Sequence, residues 1–314
     1  MRVRSIDIFR GITVVLMVFF SIYGALSSTP IFLQHNEPDS VHFGDFVLPM
    51  FLFASGMSLV FFAKKREKET PMNYALDCAN RITQLLLVSM LITLLSGRFL
   101  QMDEVMLNAL LFIPSLILII LALPELAIAA IALLIFAFYS FLSAFGMLPD
   151  FSATYLGGYP AALFYLPVML GGVIAGRRVL EGKSTNPALF ASAIVFVALL
   201  LLSPPYKTEV SPSFMALAVF LSLIFFKAVE LLPAKSQPAI PSFFEYLGRN
   251  PIRYWVLMFV LLLVPINFCA FASGKHIPLE LGAAQSFSIS ILCLFFLFAV
   301  SKTADFISPQ LTRK

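Results

Sequence analysis

Apolar runs of about twenty residues follow one another along almost the whole of this 314-residue chain, and no other feature constrains its fold as strongly. A helix of about 20 residues crosses the roughly 30 Å of hydrocarbon in a bilayer. Inside lipid the backbone N–H and C=O groups must be satisfied within the spanning element, so helices are the expectation. The alternation over about ten residues that marks a membrane barrel is absent. Composition agrees: 60% of residues are hydrophobic and 12% charged, about half the charged share of a soluble domain. The chain is therefore read as an all-α integral membrane protein, a polytopic bundle of about ten transmembrane helices in a lipid bilayer.

The expected spans are 6–27, 45–63, 81–97, 105–123, 125–146, 160–176, 187–203, 213–232, 251–272 and 284–304. Pro124 makes the turn between the fourth and fifth short. Nothing resembles a separate soluble domain or an internal repeat, so residues 1–314 are treated as one transmembrane domain. Arg2 and Arg4 before an apolar stretch, with Ala25-Leu26-Ser27 after it, have the outline of a secretory signal. Asp7 and Arg10 sit inside its start, however, and the run is long, so it is read as a retained span.

The basic residues set an orientation. With the N-terminus in the cytoplasm, the inner segments hold Lys64, Lys65, Arg66, Lys68, Arg177 and Arg178, and also Lys183, Lys235, Arg249 and Lys302. Arg98, Lys207 and Lys275 fall on the outer side. That asymmetry predicts both termini inside. The net charge of +4 lies in these short connections, which argues for topology and against nucleic acid. Cys78, Cys269 and Cys293 are odd in number and lack C-x-x-C spacing, so they are read as packing residues.

Ionisable groups set against apolar helices are costly and ask for a reason. On a helix Arg4, Asp7 and Gly11 share a face, with Arg10 one turn after Asp7. Two readings stand: an ion pair fixing the start of the helix, or an inner pocket for an anionic ligand built with neighbouring arginines. Asn250-Pro251, flanked by Arg249 and Arg253, is an expected helix start with Asn250 as N-cap, where free N–H groups and two arginines can hold a phosphate. Ordinary positive-inside anchoring explains the same residues. On the other side lie His35, His42 and His276, near Glu37, Asp39 and Asp45. A histidine oriented by a carboxylate can act as a general base near neutral pH. Capping alone explains Asp45 at the start of the second span. The spacing fits no standard metal ligand pattern, and no metal is expected. Gly172 and Gly176 form a GxxxG pair, expected to pack helices closely, and Lys227 and Glu230 are expected to pair.

The chain resembles the transmembrane acyltransferases of the heparan-α-glucosaminide N-acetyltransferase type and their prokaryotic relatives. That family opens with R-x-R-S-x-D-x-F-R-G, matched by Arg2, Arg4, Ser5, Asp7, Phe9, Arg10 and Gly11. A loop histidine ten residues before D-[LF]-V-[FL]-P-x-F is matched by His35 and Asp45-Phe46-Val47-Leu48-Pro49-Met50-Phe51. Gly172-Val173-Ile174-Ala175-Gly176 and Leu247-Gly248-Arg249-Asn250-Pro251-Ile252 are similar to later family motifs. The resemblance implies transfer of an acetyl group from cytoplasmic acetyl-CoA to a sugar-like acceptor across a membrane, which for a prokaryotic relative is the inner membrane, with a homodimer as one admissible assembly. It maps the family's catalytic histidine onto His35 and its active-site asparagine onto Ser21. The chain departs from the family at Pro38, where a tryptophan is usual, and at His42, where a threonine is usual. Candidate catalytic residues are thus His35, His42, Asp45 and Ser21. Candidate donor-binding residues are Asp7, Arg10, Arg81, Arg249 and Asn250. The competing class is a transporter or lipid-handling protein that uses the same charges for binding; the internal repeats and broken helices usual in transporters are not evident in the sequence.

Overall fold

The computed structural model describes residues 3–26, 41–67, 72–80, 123–145, 158–202, 211–232, 239–273 and 281–311, with isolated positions between them. Every regular element among the described residues is helical. They are α1 (Arg4–Leu26), α2 (Val47–Lys65), α3 (Glu125–Ala144), α4 (Gly158–Leu180) and α5 (Asn186–Leu200), then α6 (Pro212–Glu230), α7 (Ala239–Arg249), α8 (Pro251–Met258), α9 (Val264–Ala272) and α10 (Ala283–Leu311).

Six segments among the described residues are long and apolar enough to cross a membrane: Arg4–Leu26, Phe43–Lys65, Glu125–Ala144, Pro212–Glu230, Pro251–Cys269 and Ala283–Ile307. They correspond to the first, second, fifth, eighth, ninth and tenth expected spans. The third and fourth, 81–97 and 105–123, lie almost wholly outside the described residues. The seventh is corrected: α5 has 15 residues, about 22 Å, which falls short of the hydrocarbon thickness. Pro204 accounts for the early stop, because it has no N–H to donate to the Leu200 carbonyl.

The chain divides into two compact units. One holds α2 to α6; the other holds α1 from Asp7 onward, His42–Gly44, and α7 to α10. In the first, α4 packs most extensively on α2. A Cβ on Gly172 would overlap the Phe53 carbonyl, one on Gly176 would lie 2.8 Å from Met57 Cα, and Gly56 of α2 meets the Met169 carbonyl in return. The GxxxG pair thus brings two backbones together, as its spacing predicts. Lys227 pairs with Glu230 at 2.8 Å, also as expected, and reaches Thr185 Oγ1 at 3.3 Å. Arg178 Nε to Glu125 Oε1, at 2.8 Å, ties the end of α4 to the start of α3.

In the second unit α1 and α10 run antiparallel. Phe19 near the end of α1 meets Phe287 near the start of α10, and the Leu279 and Leu281 N–H groups donate to the Ala25 and Leu26 carbonyls. α8 continues through one π-helical stretch, Phe259–Leu263, into α9, so the expected 251–272 span is one rod with a widened turn. Its start needs correction. Pro251 does open the helix, but Asn250 makes no side-chain capping bond. It is a one-residue joint between α7 and α8, and its backbone carbonyl accepts from the Arg253 N–H. Of the cysteines, Cys269 is exposed, against the expectation that it packs inside.

Candidate functional site

The opening motif meets its partner far down the chain. Arg10 Nε donates to the Gly248 carbonyl at 2.8 Å, a second guanidinium nitrogen donates to the same oxygen, and Asp7 accepts from Arg10 at 3.2 Å. Gly248 lies in the last turn of α7, where carbonyls have no intrahelical partner. A cation at a helix C-terminus is favoured by both the open carbonyl and the helix dipole. Asp7, largely buried, holds the fork in place. The ion-pair reading of these residues is therefore realised, with a target that local spacing does not reveal.

This contact needs glycine on both sides. A Cβ on Gly11 would fall on the Phe244 carbonyl, and one on Gly248 would fall on the Asp7 carbonyl. α7 is amphipathic, with Phe243, Phe244 and Leu247 set against Ser242, Glu245 and Arg249. Phe243 packs on Phe298 of α10, ring centroids 4.8 Å apart. α7 thus sits between the start of α1 and the end of α10.

Further charges gather at the same end of the unit. Arg249 pairs with Glu245, Arg253 pairs with Asp305, and the Tyr246 hydroxyl donates to Asp305. Lys302 Nζ stands 3.8 Å from the centre of the Tyr246 ring. Burial, then the hydrogen bond to the Asp305 carboxylate, pushes the Tyr246 phenol above its ordinary range, so it remains a donor. In the sequence Tyr246 and Asp305 are not singled out, and Lys302 counts only as an inner charge. Their only advance signal is a basic and an acidic residue one turn apart at the end of the last span.

The other end of α1 carries different groups. Ser21 is half-buried one turn before the helix end. His42 precedes Phe43, whose ring lies 6.1 Å from that of Phe20, so its segment rests against this end of α1. Ser21 and Arg10 are eleven positions apart on α1, about 16 Å along its axis. His35 and Arg81 lie outside the described residues.

Asp45 belongs to the first unit, and its expected capping role is corrected. A 3₁₀ turn, Phe43–Phe46, precedes α2, the N-cap is Phe46, and no side chain caps it. Asp45 lies within that turn, 1% exposed, and in electrostatic reach of the buried Tyr165 phenol of α4. A carboxylate so buried is tolerable only with polar partners. Among the described residues no three metal-ligating side chains come together.

One prediction follows from the Arg10 cap. Arg10→Lys keeps the charge but loses the fork, and removing a charge-assisted hydrogen bond of this kind costs about 1.5–3 kcal/mol. Thermal unfolding of the purified protein without ligand is expected to show a lowered midpoint, whereas an unchanged one means the Gly248 contact is dispensable.

A comparison with curated proteins finds no match. The family model for heparan-alpha-glucosaminide N-acetyltransferase, catalytic, matches residues 2–203, which takes in the opening motif, α2 and the glycine pair of α4, while α6 to α10 lie beyond it. With well over half its length matched, the chain belongs to the heparan-alpha-glucosaminide N-acetyltransferase catalytic-domain family.

Proposed function

We propose that this protein, by family a membrane acetyltransferase, moves an acetyl group from cytoplasmic acetyl-CoA to an amine or hydroxyl of a sugar-like acceptor on the opposite side. The observation that carries the reading is the placement of two kinds of polar groups at opposite ends of α1 within one unit. Arg10 and Arg249 lie at its start; Ser21 and His42 lie at its end.

At the basic end the phosphates of the donor meet Arg10 and Arg249, with Asp7 fixing Arg10. The pantetheine arm runs along the bundle to the far end. His42, at that end, or His35 takes the proton of the acceptor as its nitrogen or oxygen attacks the thioester carbonyl. Ser21 donates to the developing oxyanion. The carbon–sulfur bond then breaks, CoA leaves as the thiolate and takes up a proton, and the acceptor keeps the acetyl group.

The direct test of donor binding is thermal stabilisation by acetyl-CoA. At a hundred times its dissociation constant a ligand adds about 2.7 kcal/mol to the folded state. A clear rise in the unfolding midpoint with acetyl-CoA or CoA is expected, and its absence at millimolar concentration contradicts the reading.

A further inference from the structure

In the first unit a groove of about 510 Å³ lies between α3 and α5, over a floor formed by α4 and α6. That volume is in the range of about 300–1,000 Å³ typical of small-molecule sites. The floor is smooth and buried, with Ala216, Val219 and Leu223 hidden and Gly171 presenting no side chain. The wall on α3 carries Leu126 and Leu133, 81% and 50% exposed, so the groove opens sideways out of the unit. Its lining is apolar except at Ser192, whose hydroxyl donates to the Leu189 carbonyl at 2.8 Å, and at one end. That end is the Arg178–Glu125 pair, 2.8 Å apart, with Arg178 also donating to the Ser184 carbonyl at 3.0 Å.

We propose that this groove holds one acyl chain of a membrane phospholipid whose headgroup carries both a phosphate and a primary ammonium. The occupant follows from what the lining offers. A polar ligand finds no partners along the body of the groove, whereas an alkyl chain buries apolar surface along its length. The open side belongs to a membrane-crossing helix, α3, so lipid is the neighbour at hand. α5, at about 22 Å, leaves part of the hydrocarbon beside it uncovered, which a lipid chain can fill. The mouth presents one cation and one anion. A guanidinium matches a phosphate through its paired donors, and the carboxylate beside it matches an ammonium.

Native mass spectrometry of the purified, delipidated protein tests this with three added lipids of equal chain length: phosphatidylethanolamine, phosphatidylglycerol and diacylglycerol. One tightly held phosphatidylethanolamine is expected, retained about tenfold better than diacylglycerol and better than phosphatidylglycerol. Ala191→Phe, which fills the groove, should lose the bound lipid while keeping its unfolding midpoint. If that variant does not fold, Ala132→Phe on the opposite wall replaces it. The double change Glu125→Gln with Arg178→Gln removes both charges together and should abolish the preference for phosphatidylethanolamine over diacylglycerol. No retained lipid, retention unaffected in the filled groove, or phosphatidylglycerol held as well as phosphatidylethanolamine each overturns the assignment.

Discussion

Gly248→Ala and Gly11→Ala are each expected to destabilise the protein by about 3 kcal/mol or more, combining the cost of overpacking with the loss of a charge-assisted hydrogen bond. A Cβ on Gly248 would overlap the Asp7 carbonyl and lie 2.7 Å from the Gly11 nitrogen. One on Gly11 would overlap the Phe244 carbonyl and lie 2.9 Å from its Cα. All of these are backbone atoms, so no change of rotamer relieves the clash. α1 and α7 must move apart, and Arg10 then loses its hold on the Gly248 carbonyl. Gly24, also inside α1, supplies the control, since a Cβ there meets nothing within 4 Å. Gly24→Ala is expected to be neutral or to gain about 0.5–1 kcal/mol from helix propensity. Thermal unfolding of the three variants in one detergent checks both halves, and similar midpoints in all three would contradict the α1–α7 contact.

The second large effect concerns the chemistry. Removing the imidazole that takes the acceptor's proton is expected to slow acetyl transfer about 10²–10⁴-fold. His35→Ala and His42→Ala, measured separately, identify which histidine does so, and the other variant should keep most of its rate. Stabilisation by acetyl-CoA should persist in both, because neither residue lies among the proposed donor-binding groups. Ser21→Ala should lower the turnover rate by about 10²–10³ if its hydroxyl is the oxyanion donor. Full activity in both histidine variants would remove the proposed catalytic assignment while leaving donor binding to be judged by its own test.

The parts of the structure that the sequence makes legible are those fixed by local pattern. The apolar runs at 6–27, 213–232 and 251–272 become α1, α6 and the α8–α9 rod because length and hydropathy alone decide a spanning helix. The Lys227–Glu230 pair is a one-turn interaction, and Gly172 with Gly176 marks a close helix approach without naming the partner. α7 is hidden because its eleven residues are too few and too polar to register as a span. Its amphipathic pattern, with Phe243, Phe244 and Leu247 against Glu245 and Arg249, was the signal available. The contacts that give the candidate site its shape are not local. Arg10 finds a carbonyl 238 positions away, and Tyr246 finds Asp305 at a separation of 59. Periodicity identifies a buried face but not which helix end will meet it. The opening motif names Asp7 and Arg10, and the structure supplies Gly248 as the partner of Arg10.

The central claim is transfer of an acetyl group across a membrane, and vesicles test it most directly. Proteoliposomes loaded with an amino sugar are supplied externally with acetyl-CoA labelled in the acetyl group. In the fraction of molecules whose basic end faces outward, the account predicts labelled N-acetyl sugar inside the vesicles, with CoA released outside. No label on the trapped sugar, or acetylation only of sugar added on the same side as acetyl-CoA, would contradict it.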